Sequence, residues 1–111
     1  MKIKTQDYND FTVIELQGDF DNDFVEIFQN NITEIMTEDR NGIVIDMQNV
    51  DFIDSEGLER LLWARDYCNE NHCQLRFAAL QENCQKILEI TRLENEFDCY
   101  KLLDEAVKNL T

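Results

Sequence analysis

The feature that most constrains this chain is the run "GIVIDMQNV" at residues 42–50. Ile43, Val44 and Ile45 are consecutive and all β-branched. A half-buried strand alternates apolar with polar residues, whereas an unbroken β-branched run fits a strand covered on both faces. Such a strand needs neighbouring strands at its edges and helices above and below it. The rest of the chain must supply both.

The chain contains no proline, so apolar periodicity does the parsing. Residues 2–7 ("KIKTQD") alternate weakly and fit a short edge strand. Residues 11–17 ("FTVIELQ") alternate more clearly, with Phe11, Val13 and Glu15 on one face and Thr12, Ile14 and Leu16 on the other. The intervening "YND" suits a hairpin turn, because Asn and Asp tolerate the left-handed region. From Phe24 the apolar residues Ile27, Phe28, Ile32, Ile35 and Met36 recur at helical steps, and Asn41-Gly42 is expected to close that helix. A strand over 43–47, a helix over 56–70, a strand over 74–79 and a helix over 82–92 follow. In the last of these, Ile87, Leu88 and Ile90 are expected to face inward. A short strand near 97–100 and a helix over 103–110 complete the order β-β-α-β-α-β-α-(β)-α. A hairpin followed by βα units implies an α/β fold, with a mixed, mostly parallel sheet and helices packed on it.

With 111 residues, 43% apolar and 31% charged, the chain is expected to form one domain over 1–111 with a single modest core. No apolar stretch approaches the ~20 residues of a membrane helix, and the N-terminus lacks the apolar segment of a signal peptide. The expected location is the cytoplasm. A net charge of −14 argues against nucleic acid or anionic lipid as partners, because both need basic patches. It fits a solvated acidic surface or a basic protein partner. Cys68, Cys73, Cys84 and Cys99 are expected as reduced thiols filling small core positions. His72 is the only histidine, and no paired C-x2-C unit supports a metal site. No cofactor is expected.

In open α/β sheets, function gathers outside the carboxyl ends of the parallel strands. Two acidic loops stand there, "GDFDND" (18–23) and "DFIDSEG" (51–57), and adjacent strands would put both on one rim. Ser55 lies at the second loop's junction with a helix. A nucleophile role fails: Ile53 stands where a G-x-S-x-G elbow needs glycine, and His72 follows a helix that carries it ~20 Å away. A phosphate-cradling loop fails as well, because the chain has three glycines in total. Asp46, Asp51 and Asp54 lack the second acidic pair and the lysine of a phospho-aspartate site. Two compatible readings of Ser55 remain. Either Asp54 or Ser55 caps the helix, and a hydroxyl at a helix N-terminus would suit a phosphoacceptor.

Three stretches carry a family resemblance: "GDFD" (18–21), "GIVIDMQNVDFIDSEGL" (42–58) and "QKILEITRL" (85–93). Across essentially the whole chain the sequence resembles the STAS family, typified by bacterial anti-sigma factor antagonists, and D-S-x-G-L is the most specific element. The resemblance implies a non-enzymatic switch. In the antagonists, an anti-sigma factor that is also a serine kinase binds the rim and phosphorylates its serine, which breaks the complex. Carried over by position, Ser55 is the phosphoacceptor, Asp54 its neighbour and Gly57 the residue that gives the turn room. Asp19, Asp21, Glu56 and Leu58 would share the partner-binding rim.

Three residues depart from the family pattern. Glu56 stands where a second Ser or Thr is usual, and Glu59 and Arg92 stand where glycine is usual. Glu56 keeps open an alternative, a constitutive scaffold or subunit of a transport or signalling assembly that is never phosphorylated. Along the helix after Ser55, Leu58, Leu61, Leu62 and Cys68 share an inward side. Trp63 and Tyr67, four apart, point away from it. They read either as an exposed anchor for a partner or as a surface covered by another helix or the mate in a homodimer.

Overall fold

A computed structural model of the chain describes residues 2–8, 11–38 and 40–108. Five strands form one sheet in sequential order: β1 (Lys2–Tyr8), β2 (Phe11–Gln17), β3 (Gly42–Asn49), β4 (Gln74–Ala78) and β5 (Cys99–Tyr100). β1 and β2 are antiparallel, with Tyr8 paired to Phe11, and every later pairing is parallel. The expected turn between β1 and β2 falls partly on residues 9 and 10, outside the described ones. Helices α1 (Val25–Met36), α2 (Ser55–Glu70), α3 (Glu82–Ile90) and α4 (Leu103–Lys108) fill the connections and the C-terminal end.

β3 is buried along Gly42–Met47, as its β-branched run requires. Ile43, Ile45 and Met47 join Ile14, Leu16 and Phe77 in the main core, beneath Phe28 and Ile32 of α1, Leu61 and Ala64 of α2, and Cys84 and Leu88 of α3. On the other face Val13, Val44 and Ala78 pack with Ala106 of α4. The alternation expected for β2 holds, because its two sets of side chains enter these two cores. None of the helices among the described residues is long and apolar enough to cross a membrane.

Four local expectations are corrected. α1 closes at Thr37, whose N–H and hydroxyl both bond to the Glu34 carbonyl; Gly42 belongs instead to β3. α3 ends at Ile90, which stands two residues past Leu88 and hence off the Cys84–Leu88 stripe, and is 81% exposed. β5 is only two residues long, and Phe97 anchors its approach by an edge-to-face contact with Phe77 at 5.1 Å. Cys99 is exposed, whereas Cys68, Cys73 and Cys84 are buried.

Candidate functional site

The loop after β2 and the loop after β3 are joined edge to edge beyond the carboxyl ends of their strands. Gly18 N–H donates to the Asn49 carbonyl at 2.9 Å, Phe20 N–H to the Phe52 carbonyl at 2.8 Å, and Asp54 N–H to the Phe20 carbonyl at 3.2 Å. Phe20 and Ile53 form a parallel bridge there, and both side chains are buried. The apolar residue in each acidic loop thus ties the rim to the core and leaves its carboxylates outside.

Asp54 holds the junction. One carboxylate oxygen accepts from Gly57 N–H at 2.7 Å and caps α2, and the other accepts from Asn22 N–H of the neighbouring loop at 3.2 Å. Asp54 is extended at φ −90° and ψ −178°, as a helix N-cap should be. The choice left open by spacing is therefore decided: Asp54 is the cap. Ser55 becomes the first helical residue and is exposed.

Gly57 stands where the two loops come closest. A Cβ there would lie 2.4 Å from the Phe20 carbonyl oxygen, 2.6 Å from Phe20 Cδ1 and 3.1 Å from Ile53 Cγ2. Any side chain would push the loops apart, which gives a physical reason for glycine two residues after the serine.

Asp19, Glu56 and Asp23 are exposed, while Asp21 is half-buried and turns one oxygen onto Asp23 N–H at 3.1 Å. Neither loop contains a lysine or arginine, and the nearest one along α2, Arg60, is bonded to Gln29 of α1. Asp19, Asp21 and Asp23 border a hollow of about 310 Å³ together with the buried Phe24 and the exposed Ile27. The rim is thus a negative surface with apolar ground beside it. A phosphoryl group on Ser55 would add about −1.5 to −2 charge there.

Several sequence-selected residues do not reach this surface. Leu58 is only 8% exposed and packs in the core, where it fixes α2. Trp63 and Tyr67 stack at 4.9 Å and 15°, yet both are half-buried against the main core. Their rings lie along the flank of α2, so the exposed-anchor expectation is corrected. Sequence reasoning missed Phe52, which is 48% exposed on the rim itself. The only signal for it was a lone phenylalanine between acids, outside any period.

A five-stranded sheet with a leading antiparallel hairpin, and a capped serine beyond its central strand, defines a class of small α/β domains. The STAS domain family model matches residues 2–106, and the chain belongs to that family. It is 30% identical over 84 residues to a STAS-domain containing protein of Pseudomonas aeruginosa, covering 76% of this chain and 82% of that one. Among solved structures, an anti-sigma factor antagonist from Mycobacterium paratuberculosis superposes with a TM-score of 0.86 at 20% identity, covering 98% of this chain and 92% of that one. A sulfate transporter family protein from Wolinella succinogenes superposes with a TM-score of 0.79 at 15% identity, covering 88% and 82%. At these identities the structural likenesses establish the fold.

Proposed function

We propose that this chain is a non-enzymatic cytoplasmic switch that binds an anti-sigma factor or related protein serine kinase through the Ser55 rim and is released when Ser55 is phosphorylated. The observation that carries this reading is the division of labour at the start of α2. Asp54 supplies the cap, so the exposed Ser55 hydroxyl is not needed to hold the helix. Likeness to an anti-sigma factor antagonist supports the same partner class. Asp19, Asp21, Asp54 and Glu56 lie on the two joined loops that carry the serine, and a phosphate there would set like charge against the acidic groups of a kinase site docked over Ser55.

The test is incubation of the full chain with ATP and an anti-sigma factor of the serine-kinase fold from the same organism, read by phosphopeptide mapping. Phosphate on Ser55, lost in Ser55→Ala, supports the switch. An unmodified Ser55 together with no complex refutes it for that partner. The exposed Glu56 favours a second reading, a constitutive scaffold, to which the likeness to a sulfate transporter family protein also points. A Ser55→Asp variant that binds the partner as tightly as the unmodified chain would select the scaffold.

A further inference from the structure

The far end of α2 carries a pair of thiols that the switch does not use. The helix closes in a Schellman arrangement: Cys73 N–H donates to the Cys68 carbonyl at 2.9 Å and His72 N–H to the Asn69 carbonyl at 3.3 Å. His72 takes the required left-handed conformation at φ 57°. In this arrangement the residue just past the turn packs its side chain on the one three before the cap. α3 ends in the same way, with Leu93 N–H on the Leu88 carbonyl at 2.8 Å and Arg92 at φ 62°. There the packed positions hold two leucines. In α2 they hold Cys68 and Cys73.

Both side chains belong to the main core, where this turn packs the one on the other; Cys73 Sγ also lies 3.7 Å from the Gln74 carbonyl, and the surroundings of the two differ. Cys68 is wholly buried in the main core. Cys73 is 5% exposed and borders an open cleft of about 690 Å³, shared with Arg65, Asp66, His72, Arg76 and Asp98. The hydrogen bond from Cys68 holds the Cys73 thiol below its ordinary pKa, while donation to Cys73, followed by burial, pushes the Cys68 thiol up. The sulfur at the edge of the cleft is thus favoured as the thiolate and the other as its protonated neighbour. The remaining cysteines lack this arrangement: Cys84 Sγ points at the Val50 carbonyl at 3.4 Å, and Cys99 lies apart on β5.

We propose that Cys68 and Cys73 form a reversible redox site that hydrogen peroxide closes to a disulfide, with Cys73 as the attacking sulfur and Cys68 as the resolving one. The Cys73 thiolate attacks a peroxide oxygen and the O–O bond breaks. The departing hydroxide takes a proton and leaves as water, and Cys73 becomes a sulfenic acid. Cys68 sulfur then attacks Cys73 sulfur. The S–O bond breaks, and a second water carries away the Cys68 proton. Two thiols lose two electrons and two protons, and one peroxide becomes two waters. A dithiol reductant reverses the step by exchange. Closure covalently locks the last turn of the helix whose first residue is Ser55, independently of whether Ser55 is phosphorylated.

The experiment treats the reduced, folded full chain with hydrogen peroxide at neutral pH, then alkylates it in denaturant and maps the cysteines by mass spectrometry. The expected result is a loss of two hydrogens in intact mass, a Cys68–Cys73 linkage and full reversal by dithiothreitol. In Cys68→Ser, Cys73 should stop at a sulfenic acid that dimedone traps. The proposal is overturned if Cys68 and Cys73 both remain alkylatable while Cys99 is oxidised, or if the linkage forms only when oxidation is done in denaturant. If Cys68→Ser does not fold, the wild-type map alone decides. A dimedone adduct on Cys68 in Cys73→Ser, with none on Cys73 in Cys68→Ser, overturns the assigned roles.

Discussion

Replacing Gly57 with alanine should separate the two loops that form the rim. The added Cβ would meet the Phe20 carbonyl oxygen at 2.4 Å, where ordinary contact begins at 3.4 Å. That oxygen is backbone and accepts from Asp54 N–H, so it cannot swing aside as a side chain would. The loop after β2 must retreat by about 1 Å, loosening both the Phe20–Asp54 bond and the Asn22–Asp54 bond. Overpacking costs ~1–3 kcal/mol, and two weakened hydrogen bonds cost about 1 kcal/mol each. The better helix propensity of alanine offsets ~1 kcal/mol of this. The net expectation is a destabilisation of ~2–4 kcal/mol, read in urea as a midpoint lowered by about 1–2 M at unchanged slope. A Gly57→Ala chain as stable as the parent would refute the view that this glycine exists to let the loops approach.

Three further outcomes follow from the same geometry. Asp54→Ala removes the cap and the tie to Asn22, and should cost ~1–2 kcal/mol in denaturation; a neutral result would mean neither bond matters in solution. Arg92→Gly relieves a left-handed residue at the end of α3 and should raise stability by ~0.5–1 kcal/mol, with no gain counting against a strained turn. Burial, followed by Asp51 and Asp19, pushes the Cys84 thiol up to about 11. The folded chain then holds a proton that the unfolded chain has lost, so stability present below about pH 9 should fall as pH rises towards 11, by up to ~1.4 kcal/mol per pH unit. Cys84→Ala should flatten that fall, and an equal slope in both chains would contradict it.

The architecture was legible where one physical rule dominated. Three consecutive β-branched residues could only sit comfortably in a strand covered on both faces, and β3 is such a strand. Alternation in β2 likewise separated its two cores. At the start of α2 the rules tied, because Asp and Ser cap equally well. Only the tertiary bond from Asn22 N–H shows how fully Asp54 is committed. Ile90 and Trp63 defeated periodicity for a related reason. Ile90 falls about 200° round α3 from Leu88, off the buried stripe, and α2 has a flank as well as a base. Phe52 belongs to no periodic element, so its exposure came from the loop path alone. Arg92 and Gly57 show the reverse relation. One departs from the family pattern at a left-handed residue, and the other keeps glycine where two backbones nearly touch.

Charge at Ser55 is the proposed control of the docking surface. The most direct measurement is calorimetric titration of the unmodified and Ser55-phosphorylated chains into the kinase-fold partner. A switch of this kind predicts tight binding of the unmodified chain and at least a tenfold weakening on phosphorylation, about 1.4 kcal/mol or more. Equal affinities for the two forms would contradict it.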